Sequence, residues 1–478
     1  MTWHTSWRCA FKSPRVLLSA LIPLVTLIGC GGGGGGRIDI EGPFADNLGG
    51  TLSGLVGSRL TLQDNSMTLS QLNGPAANGT NLVFGIADFN TSYDVTVATQ
   101  PTSPSQSCVV ANGTGTATGS AGSASNVTNI TVTCTTNPPR FVYVVNRGSN
   151  NISAYTVDAT SGALVAIASS PFATGNLPVA IAVDPTGTYA YVANQTDATI
   201  SAFTIDRTSG ALKAVSGSAF TTGPAPTSVA IDPTSLFVYV TSGNGGTVSA
   251  YSISAGGALT AVTGSPVATG TTPSSVTVGY YPDTFFVYVA NQADDTVSAF
   301  TANGSNGNPS GALIAVSGSP FAVGSGPRAV TVDPSGQYVY VANAASNTLS
   351  GYNFYNNNLG TPAVLSGSPY TTGTSPDSVA VDPLDNFVYV ANEASNNISA
   401  YALGAGGALT AITGSPFAAG DGPSAVAVDP TGRFVYVANS SSGTISVFAI
   451  TGSTGALSAV SGSPYAAGSL PSAIALSD

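Results

Sequence analysis

The sequence predicts an all-β chain in which a small antiparallel β-sandwich precedes a seven-bladed β-propeller. Three observations carry that prediction. A block built on PheValTyrValAlaAsn occurs seven times after residue 140, with central tyrosines Tyr143, Tyr191, Tyr239, Tyr288, Tyr340, Tyr389 and Tyr436 standing 47 to 52 residues apart. Each block holds four short stretches of period-two pattern, which is what one propeller blade requires. The first block also lacks the Pro-led stretch that opens the others, while a matching stretch stands surplus at 471–476.

The stretches within a block follow a fixed order. After the tyrosine segment comes a second β-stretch, such as IleSerAlaTyr at 152–155 or IleSerValPhe at 445–448, then GlyAlaLeu, then a SerGlySerProPhe turn. The fourth opens with Pro and reads SerAlaValAlaVal at 424–428. An α-solenoid is excluded, because no stretch has helical periodicity and proline recurs in every unit. The surplus stretch at 471–476 has only 141–146 to pair with, so the ring is expected to close by joining the last strand to the first blade. Closure also removes the sheet edges that an open array would expose.

Residues 38–137 alternate β-prone stretches with Gly, Asn and Ser turns: ArgLeuThrLeu at 59–62, AsnLeuValPheGly at 81–85, TyrAspValThrVal at 93–97 and AsnIleThrValThrCys at 129–134. That spacing predicts the sandwich. Pro138 and Pro139 mark its boundary with the propeller, which is expected over 140–478.

The N-terminus reads as an export leader, with Arg8, Lys12 and Arg15 before an apolar run at 16–28. That run is too short for a comfortable membrane span, which needs about 20 residues. The run ends in LeuIleGlyCys at 27–30, which resembles the bacterial lipobox, whose cysteine becomes the lipidated first residue. The resemblance implies a leader over 1–29, lipidation of Cys30, a Gly tether over 30–37, and attachment to a membrane through the N-terminal lipid. No acidic residue directly follows Cys30, where Gly31 stands. By the sorting habits of that class this points to the outer membrane, facing periplasm or surface. An ordinary secretory leader with a chance cysteine is the alternative.

Composition narrows the function. Charged residues make up 7% of the chain, against roughly 25% in ordinary soluble proteins. The net charge of −11 supplies no basic surface for a phosphate backbone, so nucleic acid is excluded as a partner. Loss of the leader removes Cys9 and the only histidine, His4, and leaves 8 basic and 22 acidic residues. Cys108 and Cys134 then remain to form a disulfide in an oxidising compartment, with two buried free thiols as the alternative. No metal site or cofactor is expected, although Asp294 and Asp295 are the one adjacent pair that calcium would suit.

The ValTyrValAlaAsn, AspPro-Gly and SerGlySerProPhe elements resemble the YVTN-type repeat of surface-layer-like and lactonase-like seven-bladed propellers, across nearly all of 140–478. The segment before them, with its ThrGlnPro turn at 99–101, is similar to the small β-domain found between lipid anchor and propeller in bacterial envelope proteins. With the Pro-led strand innermost, the turn aspartates Asp184, Asp232, Asp333, Asp382 and Asp429 fall on one face, expected to accept hydrogen bonds from their own turns. The asparagines Asn146, Asn194, Asn291, Asn343, Asn392 and Asn439 fall on the other, with Ser242 breaking the series, and are read as strand exits in left-handed backbone. Arg328, Asp377 and Glu393 break the repeat on that same face. In lactonase-like relatives a basic residue after the proline and a Glu after the Asn complete a pocket. The resemblance implies that Arg328 would stabilise an oxyanion and that Glu393, or a carboxylate raised by burial beside Asp377, would activate water. Arg328 and Glu393 lie on different blades, and no histidine is at hand. The sequence is therefore read first as a lipid-anchored binding or scaffold module for an unknown protein or carbohydrate ligand. A lactonase-like hydrolase of sugar lactones is the alternative.

Overall fold

The structure is a computed structural model that describes residues 46–477, apart from 58–59, 66, 73–79, 88–91, 102–105, 118–126, 138–139, 281–283, 304–308 and 355–361. The leader with His4 and Cys9, Cys30, the Gly tether, and Pro138 and Pro139 lie outside the described residues.

The fold is all-β, with a sandwich followed by seven blades. Over 46–136 two four-stranded sheets share one apolar core, with Leu48 and Leu52 of one sheet packed with Leu60, Leu62 and Val95 of the other and with Ile130 and Val132. One pair departs from the expected antiparallel pattern: Asp46–Ser53 runs parallel to Val127–Thr136. Four strands had no clear sequence signal: Asp46–Ser53, Met67–Leu72, Gln106–Ala111 and Thr114–Thr116. Cys108 and Cys134 stand directly opposite on neighbouring strands and are disulfide-bonded.

Each blade is a four-stranded antiparallel sheet with the Pro-led strand innermost, as in Pro178–Val183, Tyr189–Asn194, Thr199–Ile205 and Leu212–Ala214. A two-residue fifth strand, such as Phe321–Ala322, follows the SerGlySerPro turn and pairs with the start of the third. The turn serine has a consistent task. In all seven blades its hydroxyl accepts a backbone N–H of that third strand, for example Ala154 N–H to Ser170 Oγ at 2.9 Å and Val447 N–H to Ser463 Oγ at 2.9 Å.

The tyrosine strands are buried on both faces, because each blade is packed between two others. In Phe141–Asn146, Phe141, Tyr143 and Val145 join the core shared with Ala190 and Val192 of the next blade, while Val142 and Val144 join the core of Tyr436 and Ala438. The tyrosine hydroxyls then tie blade to blade: Tyr143 OH donates to Gly210 O, Tyr191 OH to Gly257 O, and Tyr389 OH to Gly455 O, each at 2.9 Å. These glycines open the GlyAlaLeu segments and explain them. Gly210 has φ +71° and lies against Phe141, so a Cβ there would sit 2.4 Å from the ring. Only glycine satisfies both demands.

The ring closes as expected. Pro471–Ser477 pairs antiparallel with Phe141–Asn146, aligning Ile474 with Val144 and Leu476 with Val142. Tyr155 OH donates to Ala466 O at 2.5 Å, and the Arg433 guanidinium donates to Ala159 O, which clasps the seventh blade to the first.

Candidate functional site

The residues that follow each inner proline form one ring at the mouth of the central channel, and those that follow each Asn form a second. Local backbone sets both. In every blade the residue before the inner proline has positive φ, between 50° and 66°, and its carbonyl accepts the N–H of the residue after Asn (or Ser242). Glu393 N–H thus donates to Ser375 O at 2.9 Å, and Arg147 N–H to Leu470 O at 3.0 Å. Side chains from the preceding blade hold this corner. Asn347 Oδ1 accepts Ser375 N–H at 2.8 Å, and Asp295 Oδ1 accepts Gly326 N–H at 2.7 Å. Within the fourth blade itself, Asp294 accepts Thr271 N–H at 2.6 Å. Both aspartates suggested for calcium are therefore engaged in loop hydrogen bonds.

The asparagines are structural, for a reason different from the one expected. None of the six has positive φ, and all are fully buried. Their carboxamides donate across the hairpin, as in Asn194 Nδ2 to Ser201 Oγ at 2.9 Å and to Thr199 Oγ1 at 3.1 Å. The left-handed residues lie a few positions on, at Asn150, Ala198, Asp295, Asn347 and Asn396. Asn146, Asn194 and Asn291 also accept a Gly N–H.

Around the first ring, hydroxyls stitch blade to blade. Thr227 Oγ1 donates to Pro273 O at 2.6 Å, Ser274 Oγ to Pro327 O at 2.9 Å, Ser424 Oγ to Pro471 O at 2.8 Å, and Ser472 Oγ to Pro178 O at 3.3 Å. The second blade has Val179 at this position, and in the fifth and sixth blades the hydroxyl is replaced by Arg328 and Asp377. Here charge takes over the bridging: Arg328 Nη1 lies 2.8 Å from Asp377 Oδ1 and 2.5 Å from Glu393 Oε2. The three candidates therefore converge although they come from two blades. The separation that counted against catalysis in the sequence is overcome because neighbouring blades bring their inner corners together at the mouth.

These side chains line a concave cavity of ≈440 Å³ with Arg147, Gln195, Gln292, Ser424, Ser440 and Ser472. Asp377 is the least exposed of the triad, at 22% of its side chain against 34% for Arg328 and 39% for Glu393. Burial pushes the Asp377 carboxyl above its ordinary value, against the pull of the Arg328 guanidinium and, farther off, of Arg147. For Arg328 burial works against the charge, but Asp377 and Glu393 together outweigh it, so the guanidinium is held more firmly protonated than usual. The cavity can therefore offer a fixed cation, a carboxyl that holds its proton more tightly than usual, and a field of hydroxyls. Arg147 escaped the sequence reading, although its position after Asn146 matches that of Glu393 after Asn392.

The opposite mouth is different in kind. Its cavity of ≈370 Å³ is lined mainly by Pro233, Val332, Pro334, Val381, Pro383, Val428 and Pro430, with no convergent ion pair among the described residues. The turn aspartates there are buried and accept their own turn N–H groups as expected, for example Tyr189 N–H to Asp184 Oδ1 at 2.5 Å and Phe237 N–H to Asp232 Oδ1 at 2.7 Å. Asp385 is the exception on this face. It stands at φ +57°, where the turns at Gly187, Gly336 and Gly432 use glycine, and burial with nearby Asp333 and Asp382 pushes its carboxyl up from 3.8 to about 8. The folded chain binds this proton more tightly than the unfolded chain. The contribution is thus full below about pH 4 and is lost as pH rises toward about 8. Asp385→Asn, which keeps a side chain tolerant of left-handed backbone, is expected to gain about 1–2 kcal/mol over the parent at pH 9 relative to pH 5. Denaturant midpoints of the two proteins at both pH values check this. Parallel pH dependence would refute it.

Comparison with known proteins agrees with this architecture. No curated protein matches the chain. Solved structures share the fold at low identity. A candidate 6-phosphogluconolactonase of Bacteroides uniformis is 19% identical with a TM-score of 0.60, covering 70% of this chain and 98% of its own. A periplasmic gluconolactonase of Pseudomonas aeruginosa is 20% identical with a TM-score of 0.59, covering 71% and 99%. A Lactobacillus plantarum protein is 22% identical with a TM-score of 0.58, covering 72% and 100%. The family model described as lactonase, seven-bladed β-propeller, matches residues 116–224 and 215–470. The chain therefore belongs to the lactonase family of seven-bladed β-propellers.

Proposed function

We propose that the Arg328 mouth hydrolyses a lactone. The observation that carries this reading is the convergence of one arginine and two carboxylates in a concave polar cavity, at the one blade junction where charge replaces the repeating hydroxyl stitch. Family membership and the gluconolactonase fold neighbour support the same chemistry. Asp377, raised by burial, takes a proton from water as its oxygen bonds to the lactone carbonyl carbon. The carbonyl electron pair moves onto oxygen, where the Arg328 guanidinium stabilises it. Collapse then breaks the ring C–O bond, and the leaving alkoxide takes the proton back from Asp377, giving a hydroxy acid. Glu393 holds Arg328 Nη1 in place. Water activation moves from Glu393, as the family resemblance suggested, to Asp377 because burial raises the latter.

Purified protein is expected to open five- or six-membered sugar lactones with saturable kinetics well above the spontaneous rate. Ring opening no faster than in buffer, across both ring sizes, would reject the reading. We further propose export and attachment to the membrane through Cys30, on the strength of the leader and the LeuIleGlyCys tetrapeptide. Cys30→Ser is expected to move the protein from the membrane fraction to the soluble exported fraction. Unchanged fractionation would defeat the assignment.

A further inference from the structure

We propose that Arg147 determines specificity at this mouth by taking an anionic group of the ligand, a phosphate or a carboxylate, set apart from the group held at Arg328. The inference rests on the hydrolytic reading for the reaction, but its binding test does not.

Four observations point there. Arg147 lines the same cavity as the triad and is exposed. Among the described residues its side chain has no ion-pair or hydrogen-bond partner, whereas Arg328 is matched by two carboxylates. Its backbone is fixed by the N–H bond to Leu470 O, so the side chain is presented from a rigid corner. The repeat does not require a cation there. Apart from Glu393, the equivalent residues are Gln195, Gly243, Gln292, Ala344 and Ser440, all neutral.

The geometry gives the ligand a polarity. Going round the ring, Arg328 is on the fifth blade, Asp377 and Glu393 on the sixth, Ser424 and Ser440 on the seventh, and Arg147 on the first. Arg147 is thus separated from the triad by one blade that lends Ser424 and Ser440 to the cavity wall, its one carboxylate on this face, Asp421, standing exposed in the loop before Pro423. A cation without a counter-ion on the wall of a concave polar cavity attracts an anion, and the guanidinium fork matches phosphate and carboxylate oxygens. A ligand that reacts at Arg328 therefore projects its charged group across the seventh blade. The competing role for Arg147 is purely electrostatic, lowering the Asp377 carboxyl from a distance.

The test separates these roles with unreactive probes. Sorbitol, sorbitol 6-phosphate and gluconate are titrated calorimetrically against the intact protein, its Arg147→Gln variant and its Arg147→Lys variant. We expect Arg147→Gln to weaken sorbitol 6-phosphate, gluconate or both by about 10-fold or more, to leave sorbitol within about 2-fold, and Arg147→Lys to recover part of the loss. Which anion responds identifies the source of the charge. Anion affinity unchanged by Arg147→Gln, no anion binding to the parent protein, or equal losses for sorbitol and the anions, would overturn the proposal. If lactones are opened, the plateau kcat/KM of Arg147→Gln should fall for anionic lactones only, while any rise of the acid limb from losing the pull on Asp377 is shared by neutral and anionic lactones. A shifted acid limb with the plateau unchanged for both lactone types would assign Arg147 to tuning Asp377 instead. Failure of the lactone assay with anion selectivity intact would sink the hydrolytic reading and leave this one standing.

Discussion

Arg328→Ala is expected to lower kcat for lactone opening by about 10²–10³, the usual cost of removing a group that stabilises a developing oxyanion. Little of that loss will be structural. The ion pairs of Arg328 are partly exposed, with 34% of the arginine side chain open to solvent, and such pairs contribute about 0–1 kcal/mol. The denaturant midpoint of Arg328→Ala should therefore stay near that of the parent while turnover collapses. Arg328→Lys should recover only a part, since the shorter lysine offers a point charge in place of a planar guanidinium whose other donors are left for the oxyanion. Turnover unchanged in Arg328→Ala would remove the arginine from the chemistry. Equal collapse of stability and turnover would make it a blade bridge.

Deleting 471–478 should have the largest effect on stability. The strand Pro471–Ser477 is the inner strand of the first blade, and its loss strips the pairing from Phe141–Asn146. Val142 and Val144, now fully buried, would face the channel without Ile474 and Leu476 beside them. Burying one such side chain fully is worth about 1.5–3 kcal/mol. Two half-buried partners lost and two buried valines uncovered give about 4 kcal/mol or more, together with an open sheet edge that invites association. Because the truncated chain can fail to fold, the full-length double variant Ile474→Ala, Leu476→Ala serves as the milder probe and should lose about 2–3 kcal/mol. Either protein melting with the parent would argue that the ring does not depend on its last strand.

Much of this architecture was legible because the repeat writes it out seven times. The Pro-led strand could be placed innermost, and the missing and surplus strands at the two ends predicted the closure between Pro471–Ser477 and Phe141–Asn146. The Cys108 to Cys134 bond followed from the small number of cysteines. The sandwich was less legible. Asp46–Ser53, with its Gly49 and Gly50, has weak β-signal, and nothing local signals its parallel partner Val127–Thr136, a pairing set by contacts across more than seventy residues.

At the site, Arg328, Asp377 and Glu393 were legible as departures from a repeat, but not as partners. Their meeting depends on how closely two neighbouring corners approach, which spacing along the chain does not encode. The asparagines illustrate a second limit. Asn residues tolerate left-handed backbone, so that explanation came first. Hydrogen bonds to Ser201, Ser298 and their equivalents are what hold them, and Ser242, without a carboxamide, makes no such bond among the described residues. Arg147 was not legible because it follows Asn146 in the first block, whose inner strand, Pro471–Ser477, comes from the far end of the sequence.

The role of Asp377 as the base of a lactone-opening site is tested by the pH profile of kcat/KM for the parent protein beside Asp377→Asn. The parent is expected to show an acid limb above the ordinary carboxylate range, because burial raises this carboxyl, and the variant to lose turnover by about 10²-fold or more. An Asp377→Asn protein that keeps the parent's rate and the parent's acid limb would contradict it.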